Sequence, residues 1–176
     1  MLTAIYIRIL TNEAYFVSQN DNIHLLALVK TSVFKVYKNI VFHFIAQDFN
    51  RLKNEGLHGI YDYNVDLGYI SLDSKEASSL LGLKQSFTHD FCCRRCYTTR
   101  NNFSSVFFEH QAILRSDQSF MENFYSINDS QNSYKGIQNL SHLRYFNVDN
   151  INIRTPFCIL HDVFEGVCLK IFNFFI

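Results

Sequence analysis

The spacing Cys93-Arg94-Arg95-Cys96 constrains this chain more than any other feature. Two cysteines separated by two residues in a tight turn aim both sulfurs at one point, the bite that a tetrahedral zinc ion takes. One such pair supplies only two ligands, so a metal-bearing fold must bring the others from far along the chain. His161 is the best third candidate, because it opens a predicted helix over 159–175. Glu165 and Cys168 lie one and two turns further on, on a similar face. His89 and His110 flank the cysteine pair and compete with His161. The alternative is a pair of ordinary cysteines, with Cys92 beside them as a buried thiol. A thioredoxin-like redox pair fits less well. The motif does not follow a strand and open a clean helix, and Arg-Arg is unusual between redox cysteines.

Five cysteines is an odd number, and the opening MLTAIYIRIL lacks the basic and long apolar regions of a secretory signal. Both points favour reduced, metal-binding cysteines over a disulfide framework. Of the 176 residues, 48% are hydrophobic and 18% charged, enough apolar material for a core and too little charge for disorder throughout. No apolar run approaches the length of a membrane span. Sixteen basic residues cancel sixteen acidic ones, so no net field draws the chain to nucleic acid. Contact with DNA would have to be local, and Arg94, Arg95 and Arg100 form such a patch, with no acid between Asp90 and Glu109. The ordinary alternative is solvated arginines around a metal knuckle.

Residues 5–10 (IYIRIL) read as a strand, and Asn22 as the cap of a short helix through residues 24–28. Val41, Ile45, Phe49 and Leu52 recur at helical spacing and predict a helix over 38–55, closed by Gly56. Residues 68–72 (GYISL) read as a strand ending at Asp73, with a helix over 75–83 behind it. This alternation predicts an α/β layer. Residues 98–135 are rich in Ser, Asn and Gln and have no sustained period, so an irregular region is expected, with one helix near 106–114 and a loop at 128–133. Residues 143–148 (LRYFNV) read as a short strand.

A carboxylate at the end of a strand is well placed for a divalent cation, which makes Asp73 a candidate ligand. Its simpler reading is the N-cap of the following helix. His161-Asp162 invites a hydrolase reading, but no nucleophile motif accompanies it, and adjacent residues on a helix do not face one another.

Taken in order, these pieces resemble a known family. The series runs N-x-x-L-x-A-L-x-K (22–30), D-x-x-x-L-x-x-E-G (48–56), the Asp73 strand with L-L-G behind it, and S-F-x-x-x-F-C-C-R-R-C (86–96). It continues through Y-K-G-I (134–137) and L-x-Y-F-N-V (143–148) and closes with L-H-D-V-F-E-G-V (160–167). It is similar to the central part of the DDE transposase of CACTA- and Chapaev-like DNA transposons, over residues 5–170. The most specific combination is the C-x-x-C about twenty residues after Asp73, followed much later by L-H-D-x-x-E-G.

The resemblance implies an α/β, RNase H-like core, partial over 1–85. It places over 86–176 an irregular, mainly helical insertion carrying a zinc knuckle. Asp73 fits the second Asp of an Asp, Asp, Glu triad that holds two Mg²⁺ in the parental enzymes, whose reaction is DNA cleavage and strand transfer. Cys93, Cys96 and His161 fit the ligands of a structural Zn²⁺. DNA is the implied partner and the nucleus the implied location, with no small-molecule substrate.

The departures point away from catalysis. The first Asp of the family precedes IYIRIL and its Glu follows the L-H-D-x-x-E-G stretch, and this sequence contains neither. Leu72-Asp73-Ser74 stands where the family has G-D-N, and Pro156-Phe157-Cys158 where it has P-P-D. The expectation is therefore a truncated, inactive remnant of a DDE transposase, or else a domesticated zinc-dependent module that binds DNA or protein. A fragment of this kind is expected to leave a sheet edge and apolar side chains uncovered, Phe42, Phe44 and the tail at 171–176 among them.

Overall fold

A computed structural model describes residues 1–8, 23–58, 62–86, 88–105, 109–127, 131–152 and 154–156. Among these residues the chain is mixed α and β, with three α-helices and two small antiparallel sheets. It divides into two compact units, Met1–Val41 and Phe42–Ile176.

The first unit is a hairpin leading into a helix. Strand β1 (Leu2–Arg8) pairs antiparallel with β2 (Ile23–Lys30), and the register slips between Ile5 and Tyr6. That slip leaves Leu26 without a partner, a one-residue bulge. The helix expected over 24–28 is thus a strand. Helix propensity is a weak prior that tertiary context overrides, and the β-branched and aromatic residues of β1 offer β2 a pairing partner along its length. Helix α1 (Thr31–Glu55) follows β2 without a loop. Its first residue is tied back to β1, with Thr31 N–H donating to Met1 O at 3.2 Å and Thr3 Oγ1 to Thr31 Oγ1 at 3.1 Å.

α1 breaks helical geometry at Tyr37 (φ −114°, ψ 29°). The expected start at Lys38 therefore marks where the helix resumes. Its buried side chains are Phe34, Lys38, Phe42 and Ala46, spaced four apart, with Val41, Ile45, Phe49 and Leu52 half-buried beside them. Phe42 is 6% exposed, contrary to expectation, while Phe44 is 63% exposed as expected. Gly56 ends the helix at φ +76°, its N–H donating to Leu52 O at 2.8 Å.

In the second unit, a two-residue ladder joins β3 (Leu57–His58) to β4 (Asp62–Tyr63), and His58 Nδ1 meets Asp62 Oδ1 at 2.8 Å. Residues 68–72 do not form the expected strand. They have no regular secondary structure and are fastened where Ile70 N–H donates to Arg154 O at 2.7 Å. Arg154 also donates to Leu67 O and reaches Asp66, which Lys53 approaches at 3.3 Å. Burial pushes the Asp66 carboxyl up, but the Leu67 N–H, Lys53 and Arg154 outweigh it and hold the group below its ordinary value.

The core of this unit forms where helix α2 (Ser74–Leu80) meets 134–146. Ala77, Leu80, Leu81, Leu83, Ile137, Leu143 and Phe146 are all buried. Gly82 makes that contact possible: at φ +74°, a Cβ there would lie 2.1 Å from Asn139 O. The Gly82 carbonyl accepts from both Gln138 N–H and Asn139 N–H. Residues 143–148 are successive turns rather than a strand, with Phe146 N–H donating to Leu143 O and Val148 N–H to Phe146 O. They lie against α1, where Asn50 Nδ2 donates to Tyr145 O at 2.8 Å and Asn147 N–H to Asn50 Oδ1 at 2.9 Å.

Within the region expected to be irregular stands a third helix, α3 (Asp117–Tyr125). A reciprocal cap between Ser116 and Ser119 starts it. Of the helix expected at 106–114, residues 109–111 form a short 3-10 turn and 106–108 lie outside the described residues. The helix expected over 159–175, the tail and loop residues 128–130 also lie outside them. No helix among the described residues is long and apolar enough to cross a membrane.

Candidate metal centre

The two motif cysteines sit on a turn stitched to a distant segment. Tyr97 N–H donates to Ile113 O at 2.9 Å and Arg115 N–H to Arg95 O at 2.8 Å, which sets Cys96 opposite Leu114 in an antiparallel bridge. Phe91, just before the cysteines, holds a left-handed backbone at φ 58°. Such a conformation costs a bulky residue about 1–3 kcal/mol and persists only where its surroundings over-determine it.

Cys93 Sγ accepts the backbone N–H of Arg95 at 3.4 Å, and Cys96 Sγ lies 3.2 Å from the Thr98 hydroxyl. The two sulfurs also hydrogen-bond to each other. The shared bond raises the Cys93 thiol, and burial adds to it. The same bond lowers Cys96 to about 5 against the opposing effect of burial, helped by Thr98 and the Arg115 charge. Burial raises the neighbouring Cys92 thiol. The two sulfurs are therefore neighbours on one turn.

Beneath the turn lies Arg115, 3% exposed. Its Nε donates to Cys93 O at 3.0 Å, and Nη2 donates to Phe91 O and Lys135 O, each at 3.0 Å. The guanidinium carbon rests 4.2 Å from the centre of the Tyr97 ring. The Tyr97 hydroxyl is held in turn by α3, at 3.1 Å from Ser119 Oγ and accepting from Asn123 Nδ2 at 3.0 Å.

The other candidates are scattered. Arg94 is 3% exposed, so its side chain does not face a phosphate as the expected patch requires. Arg95 is half-buried, and Arg100 is exposed with Nη1 donating to Thr88 O at 2.9 Å. Asp73 is exposed and caps α2, its Oδ1 accepting Glu76 N–H at 2.8 Å. No strand leads into it. His89 turns Nδ1 to the carbonyl of Asp90, and its Nε2 is buried without a partner among the described residues. Neither His89 nor His110 joins the cysteines: no group of three or more His, Cys, Asp or Glu able to hold a metal forms among the described residues. His161, Glu165 and Cys168 lie outside them.

Arg115, Tyr97, Thr98 and Asn123 were not singled out in the sequence. Arg115 stands in no motif, and its acceptors lie 20 to 24 residues away on both sides. Comparison with protein-family models, curated proteins and solved structures finds no match to this chain.

Proposed function

We propose that this chain is a zinc-binding module of DDE-transposase ancestry that engages DNA without cutting it. Cys93 and Cys96, completed by His161, are the ligands of a structural Zn²⁺. The observation that supports this most is the turn that carries both sulfurs, where Cys93 Sγ accepts the Arg95 N–H and Cys96 Sγ lies against the Thr98 hydroxyl. Two soft donors two residues apart on one turn fit zinc, which takes cysteine as thiolate. Zinc held by these residues would supply a structural cross-link.

The Asp73 carboxylate is engaged in capping α2, and no cluster of carboxylates surrounds it among the described residues. Asp73 then has a structural role in this chain, and the RNase H-like core is a matter of descent. Arg95 and Arg100 are the candidate phosphate contacts, and a nuclear location follows from a DNA partner.

Metal content of the purified chain tests the proposal. One zinc per chain after dialysis, lost in Cys93→Ser and His161→Ala, together with DNA binding that weakens as salt rises, is the expected result. A chain that aggregates and retains no zinc would instead be an inert remnant.

A further inference from the structure

Two non-glycine residues flanking the metal turn hold left-handed backbones: Phe91 at φ 58° and Lys135 at φ 45°. They lie 44 positions apart in the sequence, yet the same atom, Arg115 Nη2, binds both of their carbonyls. Strained backbone of this kind clusters at sites where geometry matters. The remaining donors point the same way. Arg115 Nε holds the carbonyl of Cys93 itself, and the Arg115 N–H fixes Arg95, the residue whose own N–H reaches Cys93 Sγ. We infer that Arg115 is the positioning residue of the metal centre: stacked on Tyr97, its guanidinium fixes the Phe91, Cys93 and Lys135 carbonyls and thereby presets the bite of the two sulfurs.

This inference rests on the zinc reading proposed above and adds to it a determinant of affinity that touches no metal. A fork of donors is required, since one lysine ammonium cannot span three carbonyls on two segments in the same geometry.

The experiment compares the full chain with Arg115→Lys, Tyr97→Phe and Cys93→Ser. Zinc affinity is read by competition with a chromophoric chelator, and Co²⁺ substitution reports the thiolate-to-metal absorption. Far-UV circular dichroism confirms that each sample is folded. Arg115→Lys keeps the charge and is expected to bind zinc 10- to 100-fold more weakly, the usual loss when a group orienting a ligand is removed, with a shifted Co²⁺ spectrum. Tyr97→Phe, which frees the stacked ring from Ser119 and Asn123, is expected to show a smaller loss in the same direction. Cys93→Ser should abolish binding.

If Arg115→Lys binds as tightly as the parent and gives the same Co²⁺ spectrum, the inference is wrong and the zinc reading stands. If the unaltered chain binds neither Zn²⁺ nor Co²⁺, the zinc reading falls and the inference falls with it. Should Arg115→Lys fail to fold, Tyr97→Phe decides: weakened binding supports the positioning role, and unchanged binding overturns it.

Discussion

The Met1–Val41 unit and the Phe42–Ile176 unit satisfy their polar groups in opposite ways. In the first, the β1–β2 ladder pairs backbone with backbone and leaves apolar side chains open on the hairpin; Leu28 is 56% exposed, and Tyr6 and Leu25 are similar. In the second, the described strands are two residues long, and long-range order comes from side chains bound to carbonyls. Arg115, Ser141, Asn50, Lys53 and Arg154 each hold a carbonyl of a distant segment. A ladder needs no particular side chain, whereas a web of this kind fails when one member is lost. The second unit should therefore be sensitive to single substitutions and the hairpin tolerant of them.

Leu80→Ala offers the strongest contrast. Leu80 is fully buried where α2 meets 141–143, and the cavity should cost about 2–5 kcal/mol in urea unfolding. A loss below 1 kcal/mol would mean that this core is loosely packed. Gly82→Ala comes next. A Cβ would meet the Asn139 carbonyl at a left-handed backbone, and about 2–3 kcal/mol is expected from strain and displacement together.

Asp73 gives a smaller, more selective effect. Asp73→Ala should cost about 1 kcal/mol by uncapping α2, and Asp73→Asn should be nearly neutral because Asn also caps. Equal losses from both would show that the negative charge matters rather than the cap.

The dependence of metal-free stability on pH is gentler, because it is spread over several units. Cys96 is lowered in the folded state, so its contribution is absent below about 5 and accrues as pH rises toward the ordinary thiol value near 9. Cys93 is raised, so its contribution is present below that ordinary value and is lost above it. Stability should climb from about pH 5 to about pH 9 and then fall, and Cys96→Ser should flatten the rise. At the small end, Leu28→Lys should change stability by no more than about 0.5 kcal/mol while raising solubility. A large loss there would show that the hairpin face is covered in solution.

Local signals account for what was legible. The Lys38–Glu55 periodicity, the Gly56 cap and the Asp73 cap depend on residues a few positions apart, and each stands where the sequence places it. The misreadings share one cause. IHLLALVK has no helical or strand preference strong enough to decide alone, so pairing with β1 made it a strand. GYISL and LRYFNV have strand composition but found no ladder among the described residues. Helix α3 was obscured by polar residues, although Ser116 with Phe120 and Phe124 beyond it was a usable cue.

By itself, the sequence determined the chemistry available: a two-sulfur turn, an acid able to cap a helix, and a chain with apolar material enough to bury. The tertiary structure alone decided which groups act together. It buried Arg94, brought α3 behind Tyr97, and set Arg115 beneath the cysteines with carbonyls from both sides of the chain. The physical reason is that a carbonyl is present at every residue. No sequence pattern marks the three that one guanidinium will bind, and only the packing of distant segments selects them.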